Sequence, residues 1–202
     1  MKIKEIIKET HEDTIENLRN ECSQTIDLMN KTNRTIYHSS NYDFGNIKKI
    51  TPKSGRKPRD MSELFHNLIN DCLNEKGIKT NRGNSIFGFK EQKFTYGNFS
   101  YILFPVNNSN VLWFKNSIDL FLTMKRYIRT NFDISIIDMS YRNIEHYKND
   151  FNEMLNFFNP QISLEKYFYN NINVEIMISS PVYVVKNEVF KTNDFKKQIG
   201  LI

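Results

Sequence analysis

The sequence predicts an α+β domain, and three observations carry that expectation. Apolar residues recur at helical spacing over 3–30, 61–76, 117–130 and 141–158. At 34–40, 85–89, 99–106, 111–114, 172–178 and 182–190 the pattern is that of strands. The two kinds of segment are mixed without a regular strand–helix–strand alternation, which disfavours a doubly wound sheet.

The first helix is amphipathic, with Ile15, Leu18, Cys22, Ile26 and Met29 forming one stripe at steps of three and four. Such a stripe packs on a domain or serves as a partner-binding arm, and it is too short for a convincing coiled coil. We place a helical arm at 1–32 and the main domain at 33–202. Arg34-Thr-Ile-Tyr-His-Ser-Ser40 is β-prone and ends in polar residues, as a strand does on leaving a sheet. A basic loop follows over 48–60, where Pro52, Gly55 and Pro58 argue against regular structure. Asp60 or Ser62 can cap the next helix, which carries Leu64, Phe65, Leu68, Ile69, Cys72 and Leu73 on one face and ends at Gly77. Asn107-Asn-Ser-Asn110 reads as the turn between two strands. Pro160 stops the last long helix.

A chain of 202 residues suits one domain and can bury a real core. The N-terminus turns charged before any apolar run of signal-peptide length develops, and no window approaches the roughly 18 apolar residues of a membrane span. Cys22 and Cys72 fall on apolar helix positions, so they read as small buried hydrophobes in a reducing, cytoplasmic setting. The formal charge of +5 fits attraction to nucleic acid or to an anionic ligand. Lys57, Arg56 and Arg59 in the basic loop are the candidates for phosphate contact.

Several chemistries lack their motifs. The seven glycines are scattered singly, so no phosphate loop is present. There is no Cys-x-x-Cys, no His-Glu-x-x-His and no serine elbow, and the four histidines share no metal-ligand spacing. Two residues remain, because each puts a titratable group into a strand-like run. His38 follows Ile36 and Tyr37. Glu175 lies within Ile172-Asn-Val-Glu-Ile-Met-Ile178, where Asn173, Glu175 and Met177 alternate with the branched residues. A carboxylate so placed faces either solvent or a cleft.

Tyr37-His-Ser-Ser40 resembles the first-strand signature of ADP-ribosyltransferases of the His-Tyr-Glu kind, with Ser39 where glycine is usual. Asn173-Val-Glu-Ile-Met-Ile178 is similar to their catalytic-glutamate strand. Ser85-Ile-Phe-Gly-Phe-Lys-Glu-Gln, Phe-Thr-Tyr-Gly97 and the strand to Val106 resemble the elements between. The ordered set, with Arg56-Lys-Pro-Arg-Asp60, also resembles small uncharacterised phage proteins over 34–185. The resemblance implies a split β-sheet core with flanking helices, and NAD as substrate. It implies Glu175 as the catalytic carboxylate, with His38, Ser40 and Asn173 beside the nicotinamide ribose. Tyr96 or Tyr101 would stack on nicotinamide. The acceptor would be a host protein or nucleic acid, and the setting host cytoplasm or a virion. The arginine-type branch would have Arg at position 38, Ser-Thr-Ser near 88–90 and a glutamate where Asn173 stands. Rival readings are a non-catalytic virion-internal or host-takeover binding protein on the same fold, and a nucleic-acid-binding regulator without an NAD site.

Overall fold

The computed structural model describes residues 11–55, 57, 63–132 and 144–202. Arg56, Arg59, the two capping candidates Asp60 and Ser62, and the start of the first helix lie outside the described residues.

The expected N-terminal helix is two: α1 (His11–Glu21) and α2 (Ser23–Thr32), hinged at Cys22, whose φ of −115° and ψ of 20° leave the helical region. The stripe of Ile15, Leu18, Cys22, Ile26 and Met29 is buried and belongs to the same core as the first sheet. Thr25 Oγ1 donates to the Pro105 carbonyl at 2.7 Å, a second tie between this helix and the sheet. Over residues 11–32, therefore, the helical segment is packed down on the domain.

Then follow β1 (Tyr37–Ser40), β2 (Ile47–Ile50), α3 (Glu63–Glu75) and β3 (Ile86–Gly88). Next come β4 (Phe99–Pro105), β5 (Val111–Phe114), α4 (Leu120–Phe132) and α5 (Ile144–Phe158). The chain closes with β6 (Pro160–Gln161), α6 (Leu164–Tyr169), β7 (Ile176–Ile178), β8 (Val182–Lys186), α7 (Asn187–Phe190) and α8 (Asn193–Ile199). Among the described residues the strands form two antiparallel sheets, ordered β1-β4-β8-β2 and β3-β7-β5-β6. The α+β expectation is thus met.

Three local expectations need correcting. Lys48 and Lys49 stand in β2 and not in a loop, because Ile47 and Ile50 pair with β8 and turn inward. The strand expected over 182–190 ends at Lys186 and turns into α7, since Asn187 to Phe190 pack back on β4 and β8. The strand expected over 172–178 is hydrogen-bonded only from Ile176, so Asn173 and Glu175 precede it. Helices α6 and α8 had no counterpart in the sequence reading. Each is short and capped by a hydroxyl: Ser163 accepts from the Lys166 amide, and Thr192 from that of Phe195.

The second sheet is covered on both faces, and its period of two sorts side chains between two cores. Val111, Trp113, Ile176 and Ile178 point into the cluster shared with α1, α2, α6 and the first sheet. Leu112, Phe114 and Met177 point into the cluster built by α3, α4 and α5. Strands buried on both faces read as unbroken apolar runs, as Ile176-Met-Ile178 does.

The sheets meet at a seam. Tyr37 of β1 and Phe89, just past β3, exchange backbone hydrogen bonds of 2.6 and 2.9 Å. This close approach needs a glycine at 88: a Cβ there would lie 2.4 Å from Ile36 Cγ2 and 3.2 Å from the Tyr37 oxygen.

Candidate functional site

Glu175 occupies the alternate position to Ile176, on the Met177 side, so its carboxylate faces the core of α3, α4 and α5. Only 7 % of the residue is exposed. β7 is an interior strand, and α4 covers this face, so the solvent-facing alternative does not apply. Its backbone N–H donates to the Ile118 carbonyl at 2.8 Å. Arg82 Nη1 donates to Oε2 at 3.0 Å. The Leu120 amide, at the N-terminus of α4, donates to the same carboxylate. Burial pushes the Glu175 carboxyl above the usual range; Arg82 opposes that rise and Asp119 adds to it.

Arg82 reaches inward because its loop is locked. Asn81 Oδ1 accepts from the Gly83 amide at 2.9 Å, Asn84 Oδ1 from the Asn81 amide at 3.0 Å, and Ser85 Oγ donates to the Asn81 carbonyl at 2.6 Å. With its own turn satisfied, the loop holds the arginine without help from regular structure. The guanidinium also lies over the Phe87 ring, 4.8 Å from its centroid.

His38 sits on the other side of β3. Its Nδ1 is 2.8 Å from the Phe87 carbonyl oxygen, and since a carbonyl only accepts, Nδ1 carries the proton. Phe87 therefore joins the two residues singled out in the sequence: its carbonyl takes His38, and its ring supports the arginine that holds Glu175.

The remaining candidates are spread around this seam. Ser40 Oγ accepts from the Tyr42 amide at 2.9 Å, and its backbone lies so close to Gly97 that a Cβ there would meet Ser40 N at 2.7 Å. Tyr101 is fully buried; its hydroxyl donates to Asp43 Oδ1 at 2.8 Å, accepts from the Phe44 amide at 2.8 Å, and its ring meets Phe44 edge-on. Tyr96 is 90 % exposed, which leaves it as the one of the two tyrosines with an open ring face. Asn173 Oδ1 accepts from the backbone amides of Lys90 and Glu91, at 2.9 and 3.2 Å. Lys57 is exposed and lines a cavity of about 570 Å³ between α3 and the Asn81–Asn84 loop, with His66, Asn70 and Gly83 among its walls. Its volume is within the range of small-molecule sites. Lys49, by contrast, is engaged: its ammonium pairs with Glu21 and lies over the Tyr183 ring.

Arg82 and Phe87 were not foreseen. Arg82 lies 93 residues from its partner in a polar turn, and no spacing rule links such positions. Among the described residues no group of three or more His, Cys, Asp or Glu side chains is placed to hold a metal ion. Cys22 and Cys72 are both buried and unbridged, and burial pushes the Cys22 thiol up to about 12. No helix among the described residues is long and apolar enough to cross a membrane.

Comparison with family models, with curated proteins and with solved structures found no match to this chain.

Proposed function

We propose that the chain is an NAD-dependent ADP-ribosyltransferase in which Glu175 is the catalytic carboxylate, and that it modifies a host protein or nucleic acid. One observation supports this most: the Glu175 carboxylate is sheltered from water beside the seam of the two sheets and is linked to His38 through Phe87. Cleavage of the bond between nicotinamide and ribose is an N-glycosidic cleavage that builds positive charge on the sugar. A carboxylate in a sheltered place stabilises that charge far better than one in water. For this to happen Arg82 must release Oε2, so that the charge of Glu175 turns from its partner to the ribose. His38 would position the nicotinamide-side ribose, with its ring fixed by the Phe87 carbonyl. Tyr96 would offer the stacking face.

A second reading is supported by the same carboxylate. Arg82 and the Leu120 amide already satisfy Glu175, as expected of a structural ion pair in a non-catalytic binding protein on this fold.

Labelled NAD incubated with the protein and host lysate separates the two. Transfer of label that falls at least about a hundredfold in Glu175→Gln is the expected result. Transfer unchanged by that substitution would remove the role given to Glu175. No transfer together with no NAD binding by calorimetry would overturn the first reading and favour the second, and salt-dependent nucleic-acid binding without an NAD effect would favour a regulator instead.

A further inference from the structure

Across the seam from Glu175, two cations meet at one carbonyl oxygen of a segment that also carries two unpartnered carboxamide nitrogens. Arg34, just ahead of β1, donates through Nη1 to the Phe168 carbonyl at 2.7 Å and to the Asn170 carbonyl, and through Nη2 to Asn171 Oδ1 at 2.7 Å. Lys90, just past β3, donates through Nζ to that same Asn170 carbonyl. Its ammonium lies 4.6 Å from the centre of the Tyr167 ring. Two cations thus share one carbonyl oxygen at the end of α6.

Two more donors belong to the segment that Arg34 and Lys90 hold. The side-chain nitrogens of Asn170 and Asn173 are buried and have no hydrogen-bond partner. Neither amide can be turned round to relieve this. Asn173 Oδ1 already accepts from the Lys90 and Glu91 amides, and Asn170 Oδ1 from the Ile172 amide at 3.2 Å. A buried donor without an acceptor is destabilising, and so is a half-buried pair of like charges.

What faces the cations does not neutralise them. Carbonyl oxygens at a helix C-terminus and a phenol ring supply partial negative charge only. Among the described residues neither Arg34 nor Lys90 has a carboxylate within ion-pair distance. Burial, and secondly the nearby guanidinium of Arg34, hold the Lys90 ammonium down at about 8. Arg34 and Asn171 open the cluster to solvent, since their hydrogen bond is exposed.

We propose that Arg34, Lys90, Asn170 and Asn173 form a binding site for a compact oxyanion, a phosphate or carboxylate group carried by a small ligand or a partner. The anion supplies the missing acceptor and the missing charge together, through charge-assisted hydrogen bonds from a guanidinium and an ammonium. Because Asn170 and Asn173 lie on the segment that leads into Glu175, its occupancy also fixes the chain just before that residue. The site does not rest on the NAD reading, and its test contains no NAD.

The test titrates the full chain with inorganic phosphate and, separately, with acetate, each against chloride at equal ionic strength. Calorimetry and the thermal midpoint are read for the wild type, Arg34→Met and Lys90→Met. Saturable binding that raises the midpoint, weakened about tenfold or more in each variant, is the expected result. A response to phosphate alone identifies a phosphate ligand, and one to acetate alone a carboxylate. A second readout needs no variant: the Lys90 side-chain nitrogen resonance of the wild type shifts with the anion and not with chloride. No saturable binding, an unmoved Lys90 resonance, or binding that persists undiminished in both variants overturns the proposal. The two cations would then serve only to close the α6 carbonyls.

Discussion

Two arrangements of buried charge lie on opposite faces of the β3–β7 ribbon, and they differ in one respect. Arg82 and Glu175 close on each other, with a backbone amide donating to the same carboxylate. Arg34 and Lys90 do not close: they repel, share a carbonyl and leave two carboxamide nitrogens unmet. Phe87, which backs Arg82, and Lys90 each lie within two residues of Phe89 at the seam, so position in the fold is nearly shared. Charge balance is what separates them. A balanced pair in a dry core holds a side chain in place and can be complete without a ligand. An unbalanced cluster retains a free energy that only an added anion recovers.

Three measurements test this difference in charge balance, beginning with the largest effect. Arg82→Met leaves the Glu175 carboxylate buried without its cation, and a loss of about 3–5 kcal/mol is expected in denaturant unfolding. Adding Glu175→Met in the same chain removes the stranded charge and recovers much of that loss. If the single variant loses less than about 1 kcal/mol, the pair is more hydrated than its burial indicates.

Gly88→Ala probes the seam that keeps the two arrangements apart. The new methyl would stand 2.4 Å from Cγ2 of the fully buried, β-branched Ile36 and 3.2 Å from the Tyr37 carbonyl oxygen. Overpacking of this kind costs about 1–3 kcal/mol, read from the shift in the unfolding midpoint. An unchanged midpoint would show that β1 and β3 can part without cost.

The smallest effect is one of pH. The Lys90 ammonium titrates at about 8 in the folded chain and near its ordinary 10.5 when unfolded. Between those values the unfolded state binds more protons, so stability contributed by this group rises with pH across about 8 to 10.5 and its penalty is complete below 8. Lys90→Met should flatten that rise and leave stability at pH 7 equal to or above that of the wild type. The opposite sign at pH 7 would mean that the ammonium is already compensated.

Period and composition were enough for the mixed helix–strand class, and for the buried stripe from Ile15 to Met29. They also placed β4 and β5 to within a residue, because long apolar runs flanked by turn residues have one reading. The short elements were not legible. β2 is four residues long and half lysine, and α6 and α8 fit within two turns, so pairing and capping outweighed their local pattern. At the candidate site, His38 and Glu175 could be picked out as titratable residues in strand-like runs. Their relation could not be, since it passes through a carbonyl, a ring and a distant arginine.

Residue chemistry along the chain thus determined which groups would be buried and which strands would be apolar on both faces. Only the tertiary structure decided how the buried charges are partnered. Local propensity acts over a few residues, whereas a partner is set by which turns the two sheets bring together. That is why Glu175 finds Arg82 from 93 positions away. It is also why Arg34 and Lys90, each unremarked in the sequence, come to share the Asn170 carbonyl with no carboxylate among the described residues in ion-pair distance.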